Sequence, residues 1–332
     1  MLKIDISQKN IPIFRRALVK WYHRHGRDLP WRRTRDPYAV LVSEIMLQQT
    51  QVVTVLPYYK NWLRRFPAFA VLARAAENDV LHAWQGLGYY TRARNLHAAA
   101  KLVVTRHRGR FPRDLGEIEK LPGIGKYTAR AIGTFAFDQS VPIVEANVSR
   151  VLSRIFNSRI PIDSTAGRSA LWDHAARLVP KKSPAQYNSA LLDLGALICL
   201  PRNPKCGICP VKNFCRAKDP ELLPVKRQRP ETKRLIERHA WIVSRNKILL
   251  QSAERRWRGM WILPPLNRVR EKRSPAIYKA DFPFTNHRIT LQIFPAQPHK
   301  IGPVESRWFS KHELDSIPMP SPHRRAIRAL LN

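Results

Sequence analysis

Residues 184–215, PAQYNSALLDLGALICLPRNPKCGICPVKNFC, carry the reading that decides the fold. Ser183-Pro184 gives a helix start, and Tyr187, Ala190, Leu191, Leu194, Leu197 and Ile198 follow at helical spacing, so one face is apolar. The helix runs straight into Cys199, Cys206, Cys209 and Cys215, the only four cysteines in the chain. Their spacings are short enough to wrap one site. Four thiolates suit a structural zinc ion or a [4Fe–4S] cluster, and spacing alone leaves the two open; four buried thiols without metal are the plain alternative.

Toward the N-terminus the periodicity stays helical. Asp36-Pro37 places an N-cap and a first-turn proline before YAVLVSEIMLQQTQV, and Val148, Val151, Leu152 and Ile155 form another apolar stripe. Beyond Cys215 the texture changes. RAKDPELLPVKRQRPETKRLIE (216–237) has three prolines and many charges and reads as a connector. After it the period shortens to two: HAWIVSR and KILLQSA flank Asn246 as a hairpin, and RITLQIF is a further strand. Ser310-x-x-Glu313 and Ser321-Pro322 start two short helices. The expected organisation is a mostly α domain over 1–217, a linker over 218–237 and a smaller α+β domain over 238–332.

The chain of 332 residues carries 59 Lys+Arg against 24 Asp+Glu, a formal net charge of +35. A domain stays soluble with a net charge of roughly 2–8, so an excess this large points to a polyanionic partner, nucleic acid ahead of an anionic membrane. Both halves of the chain share the excess. Disorder does not explain it, because 44% of residues are hydrophobic and nine are Trp, enough to build a core. The most apolar stretch, Leu191 to Leu200, is interrupted by Asp193 and is too short to span a bilayer. MLKIDISQKN has no signal-peptide apolar region, so an intracellular protein is expected.

Three further motifs carry chemistry. In LPGIGKYTARAIG (121–133), Gly123 and Gly125 allow a tight turn that aims backbone N–H groups outward at a helix start, a way to hold a DNA phosphate without reading sequence; an ordinary inter-helix turn is the alternative. In SEIMLQQTQV (43–52), Glu44, Gln48 and Gln51 are expected on one helical face among apolar neighbours, where partial burial would raise the Glu44 pKa and suit a general acid. In PIVEANVSRVL (142–152), Glu145 stands at a helix start, which favours the ionised carboxylate. The two carboxyls are then expected to have pKa values pushed apart, one acid and one anion, as cleavage of a glycosidic bond requires; simple helix capping is the rival account of Glu145.

Together and in this order, these elements resemble the helix-hairpin-helix DNA glycosylase superfamily, which includes endonuclease III and the MutY-type adenine DNA glycosylases. The likeness covers roughly residues 11–225. It implies a [4Fe–4S] cluster on Cys199, Cys206, Cys209 and Cys215, and a hairpin at 121–133 with Lys126 and Tyr127 opening its second helix. LPWR (29–32), SEIMLQQTQV and GLGYYTRARNLHAAA (86–100) resemble the MutY pattern. On that resemblance Glu44 is the acid that protonates adenine, Gln49 and Tyr89 wedge into the duplex beside Leu87, and Arg27 and Trp31 lie near the adenine pocket. Tyr127 falls where lyase members have a Schiff-base lysine, which argues against a lyase.

One departure concerns the second carboxylate. The family has Val-Asp-Gly-Asn where this chain reads Val144-Glu145-Ala146-Asn147, so charge is kept and one methylene added. The tail resembles the Nudix-like C-terminal domain of the MutY type, which helps recognise 8-oxoguanine; of Thr285-Asn286-His287, only His287 matches the family's recognition loop. The tail has no adjacent acidic pair for a Nudix hydrolase.

The resemblance thus implies a monofunctional adenine DNA glycosylase, expected to be a cytoplasmic monomer, acting on double-stranded DNA with A·8-oxoguanine or A·G mispairs. A glycosylase-lyase, a thymine-mismatch glycosylase and a non-catalytic lesion-binding protein are the rivals.

Overall fold

Buried apolar stripes build helices through most of the chain, and alternating residues build two small sheets near its end. The computed structural model describes residues 6–228, 231–266, 275–284, 286–298 and 305–332. Eleven described helices precede the sheets: α1 Ile11–His25, α2 Pro37–Leu47, α3 Val52–Arg65, α4 Phe69–Arg74, α5 Glu77–Ala83, α6 Thr91–Arg106, α7 Leu115–Glu119, α8 Lys126–Phe137, α9 Ala146–Ile155, α10 Thr165–Leu178 and α11 Pro184–Leu197. Then come β1 Lys233–Trp241, β2 Val243–Ser244, β3 Lys247–Ser252, β4 Trp261–Ile262, β5 Tyr278–Phe284, β6 His287–Pro295, β7 Ser306–Ser310 and α12 Ser321–Leu331. None of the described helices is long and apolar enough to cross a membrane.

The chain forms two compact units that do not follow chain order: residues 1–49 with 102–228, and 50–101 with 229–332. In the first, α1, α9, α10 and α11 enclose a core that includes Phe14, Leu18, Val151, Leu152, Tyr187 and Leu194. Phe214, from the cysteine segment, enters this core and meets Phe14 edge-on at 5.6 Å, so the loop is anchored by burial as well as by whatever its thiols hold. In the second unit, Trp62 lies edge-on to Phe66 and to Trp84. One sheet has the order β1-β6-β5; in the other, β3 is flanked by β2, β4 and β7. Residues 77–94 meet the tail within this unit: Arg324 donates to Gln85 Oε1 at 3.1 Å and His82 Nε2 lies 2.9 Å from the Asp315 carbonyl.

Local sequence signals account for many boundaries. Asp36 caps α2 by accepting from the Tyr38 and Ala39 amides. Arg245 and Asn246, both left-handed, close the β2–β3 hairpin with the backbone that a two-residue turn requires. Glu313 accepts from the Ser310 backbone N–H at 2.8 Å, but the element there is only a 3-10 turn, Glu313–Asp315. Three expectations need correcting. Helix α2 stops at Leu47 because Gln49 turns left-handed, so Gln51 does not share its face and instead starts α3. Helix α11 starts at Pro184 as expected, but Ser183 precedes it with a left-handed backbone and no side-chain cap bond. Strand β1 begins at Lys233, inside the charged stretch read as a connector, because pairing with β6 satisfies its backbone despite exposed side chains.

Candidate functional site

The first unit gathers a set of buried charges around the start of α8. Gly123 has φ 75°, the left-handed backbone that a side chain would strain, and Gly125 follows as the extended N-cap of α8. Only Gly123 uses glycine's special freedom; at Gly125 a Cβ would meet nothing within 4 Å, leaving the turn open to an approaching group. Lys126 opens the helix and packs its ammonium over the Trp172 ring at 4.7 Å. Tyr127 sits one residue further on, partly buried.

Helix α2 packs on α8, and this packing buries Glu44 against Tyr127. Burial pushes the Glu44 carboxyl up to about 7; the Tyr127 hydroxyl, which donates to it, and Arg32 pull the other way, while Glu145 adds to the rise. The same burial and the two carboxyls hold the Tyr127 phenol well above its usual range. One turn beyond Glu44, Gln48 donates to Thr128 Oγ1 at 3.4 Å, and the exposed Gln49 follows with φ 57°.

Glu145 is the N-cap of α9, its Oε1 accepting from the Val148 amide at 2.7 Å. The longer side chain thus still makes the cap bond that an aspartate makes elsewhere in the chain, Asp114 accepting from the Glu117 amide. Capping and charge therefore coexist in one side chain. The expectation that the helix start would keep Glu145 an ordinary anion is corrected: burial raises its pKa, outweighing the Asn147 and Val148 amides, Arg150 and Arg27. The two carboxyls are not pushed in opposite directions; both rise.

Arg27 and Trp31, read from the sequence as pocket residues, flank a charge cluster that sequence reasoning missed. Asp193 of α11, with no exposed side-chain surface, accepts from the Arg27 backbone N–H at 2.7 Å, from Arg27 Nε at 2.7 Å, and from both Arg32 terminal nitrogens at 2.7 and 2.8 Å. Burial alone would raise the Asp193 pKa, but the Arg32 and Arg27 hydrogen bonds win and lower it. Trp31 is buried in the 3-10 turn Pro30–Arg32. The available signal was an acid interrupting the most apolar stretch of the chain.

Asn147 leads from Glu145 toward the cysteines. Its Oδ1 accepts from Arg150 at 2.8 Å, and the same arginine donates to the carbonyls of Gly195 and Cys199 at 2.7 Å each. Gly195 is required by close helix contact: a Cβ there would stand 2.6 Å from the Asn147 Cβ. One turn on, Arg154 is almost fully buried and donates to Cys199 Sγ at 3.3 Å and to the carbonyls of Leu200, Pro201, Pro220 and Leu223. Arg150 and Arg154 were also missed, although two arginines at i, i+4 on an apolar helix are a legible sign of buried partners.

Cys199, Cys206, Cys209 and Cys215, with Arg154 and Lys212, line a cavity of about 270 Å³. Among the described residues no three Cys, His, Asp or Glu side chains converge closely enough to hold a single metal ion. Burial, and then the charges of the other three sulfurs, push the Cys209 thiol up to about 12. A donor set whose thiolates repel one another around an open space fits a polynuclear iron–sulfur group, whose iron charge offsets that repulsion.

Leu87, Tyr89 and His287 lie in the second unit. Leu87 is buried, whereas Tyr89 is exposed with φ 49°. Arg92 shapes their loop, donating to the Leu87 and Gly88 carbonyls and lying over the Trp84 and Tyr89 rings. Gly86, at φ 102°, has the Tyr58 hydroxyl 2.1 Å from where a Cβ would sit. His287 opens β6 opposite Phe284; Thr285, two residues before it, lies outside the described residues.

Residues 42–172 match the HhH-GPD superfamily base excision DNA repair protein family, and residues 199–215 match the iron-sulfur binding domain of endonuclease III. An adenine DNA glycosylase of Buchnera aphidicola subsp. Baizongia pistaciae is 45% identical over 62% of this chain and 58% of its own length. That of Buchnera aphidicola subsp. Schizaphis graminum is 38% identical over 70% of this chain and 67% of its own. The solved structure of a thermostable thymine-DNA glycosylase superposes with a TM-score of 0.59 at 32% identity, covering 64% of this chain and 98% of the other.

Proposed function

This chain belongs to the adenine DNA glycosylase family of the HhH-GPD superfamily, and from that premise we propose that it hydrolyses the N-glycosidic bond of adenine mispaired with 8-oxoguanine or guanine in duplex DNA. The observation that carries the reading is the buried Glu44, held protonated to about pH 7 beside the Tyr127 hydroxyl and Glu145. A carboxyl poised at that pKa can donate a proton at N7 of a flipped adenine and make it a leaving group. Glu145, near the same acid, stabilises the positive charge that develops on the sugar as the bond breaks. Tyr127 lines the sugar face, and Asn147 steadies the start of α9 through Arg150.

Arg27 and Trp31 border the adenine pocket, the Gly123–Gly125 turn and Lys126 hold a phosphate, and Gln49 and Tyr89, backed by Leu87, wedge the duplex open. The left-handed backbone of both wedge residues supports this, since strained backbone is stored where function holds it. The division into a helical part, a linker that ends before Lys233 and a Nudix-like part that begins with β1 belongs to the proposal, with His287 reading the base opposite adenine. Cys199, Cys206, Cys209 and Cys215 hold an iron–sulfur cluster, as the matched endonuclease III domain implies, and we assign it as [4Fe–4S]. When bound, the cluster would supply a rigid cross-link between the four thiolates of the loop, and Arg154 holds the frame by donating to Cys199 Sγ.

Tyr127 offers a phenol where imine formation needs an amine, so the product is an abasic site without strand cleavage. The enzyme acts as a monomer on nucleoid DNA in the cytoplasm. A single-turnover assay on A·8-oxoguanine, A·G and T·G duplexes tests this: adenine release from the first two, no thymine release, and no borohydride-trapped adduct are expected. Thymine release would move the reading to a thymine-mismatch enzyme, a trapped adduct to a lyase, and tight binding without base release to a lesion-binding protein.

A further inference from the structure

The Asp193 cluster has a role beyond holding two segments together. One buried carboxylate receives two guanidiniums, and each cation also acts on a different acid of the site: Arg32 on Glu44, and Arg27 on Glu145. Arg32 is fixed further by donating to the Arg27 carbonyl at 3.0 Å and by lying over the Tyr22 ring at 5.6 Å. The three charges sum to a single positive charge. Without Asp193, two uncompensated cations would face two carboxyls, one of which must keep its proton to act as an acid.

We propose that Asp193 is a positioning residue, which orients Arg27 and Arg32 and screens their charge so that Glu44 stays the proton donor. The inference rests on the reading of Glu44 as that donor. Glu44 is faced by Tyr127 from α8, Glu145 from the start of α9 and Arg32 from the 3-10 turn; Glu145 is faced by Arg150 and Arg27; Asp193 is faced by Arg27 and Arg32. Removing the Asp193 charge leaves the cations to favour ionised Glu44, so the proton leaves at lower pH. A carboxylate that only stapled the turn to α11 would, when lost, lower stability and slow excision alike at every pH.

The test is single-turnover adenine release from an A·8-oxoguanine duplex from about pH 5 to about pH 9, with thermal melting of each full-length variant and a carbon-13 NMR titration of the Glu44 carboxyl in the free protein. Asp193→Asn is expected to move the alkaline limb and the Glu44 midpoint down by about one pH unit. Asp193→Glu should restore both, and Arg32→Gln, which removes a cation, should move both upward. A folded Asp193→Asn protein whose profile merely runs parallel below the wild type overturns the proposal. If that variant does not fold, Arg32→Gln decides, and a Glu44 midpoint that fails to rise overturns it. Wild-type protein that releases no adenine refutes the reaction, whereas an unmoved Glu44 midpoint refutes the role of Asp193.

Discussion

Replacing Glu44 with Gln should abolish excision and make the protein more stable at alkaline pH. Glu44 has its ordinary carboxyl value of 4.5 raised to about 7 by burial. A folded-state pKa above the unfolded one means that the protonated group favours folding, fully below about pH 4.5, and that this contribution is lost as pH rises through about 7. Each pKa unit corresponds to about 1.4 kcal/mol, so ionising Glu44 costs the native state about 3 kcal/mol by pH 8. Gln keeps an acceptor for the Tyr127 hydroxyl and has no charge to bury. The gap between Glu44→Gln and wild type should therefore be about 1 kcal/mol at pH 5 and grow to about 3 kcal/mol at pH 8, or about 6 °C in melting temperature for the unit that carries it. Calorimetry from pH 5 to about pH 8, beside the excision assay, reads both halves. A stability gap that does not change with pH would refute the assignment of a buried, protonated Glu44.

Glu145→Gln keeps an acceptor for the Val148 amide but loses the charge, so melting should change by less than about 1 kcal/mol while excision falls by about a hundredfold or more; equal loss in both would make Glu145 only a cap. Gly86→Ala forces a left-handed alanine onto the Tyr58 hydroxyl and should destabilise the second unit by about 2 kcal/mol, read by denaturant unfolding. Arg154→Ala leaves Cys199 and four carbonyls without their common donor; expressed protein should hold less than about half the iron of wild type and lose about 3 kcal/mol of stability. Duplex affinity should fall by about a thousandfold between 50 and 200 mM salt, as expected if the +35 charge is spent largely on phosphates; a shallow slope in a titration would contradict it.

Much of the site was legible because its signals are local. Four closely spaced cysteines, the Gly-x-Gly turn before Lys126 and a capped apolar helix bearing Glu44 need only neighbours in sequence to be read, and the helical and α+β parts follow from periodicity. Local pattern also misled: the apolar run through SEIMLQQTQV continues at helical spacing, yet the helix ends at Leu47 because Gln49 turns left-handed. The charges were harder. Asp193 lies some 160 residues from Arg27 and Arg32, and nothing in local spacing pairs them. Likewise the helix start at Glu145 suggested an ordinary anion, and burial made it a reluctant one. The sequence by itself therefore determined which groups could do chemistry, since residue type and short-range order set donors, thiols and turns. Only the tertiary structure decided their protonation and partners, because desolvation and Coulomb interactions depend on what packs against a group from distant parts of the chain.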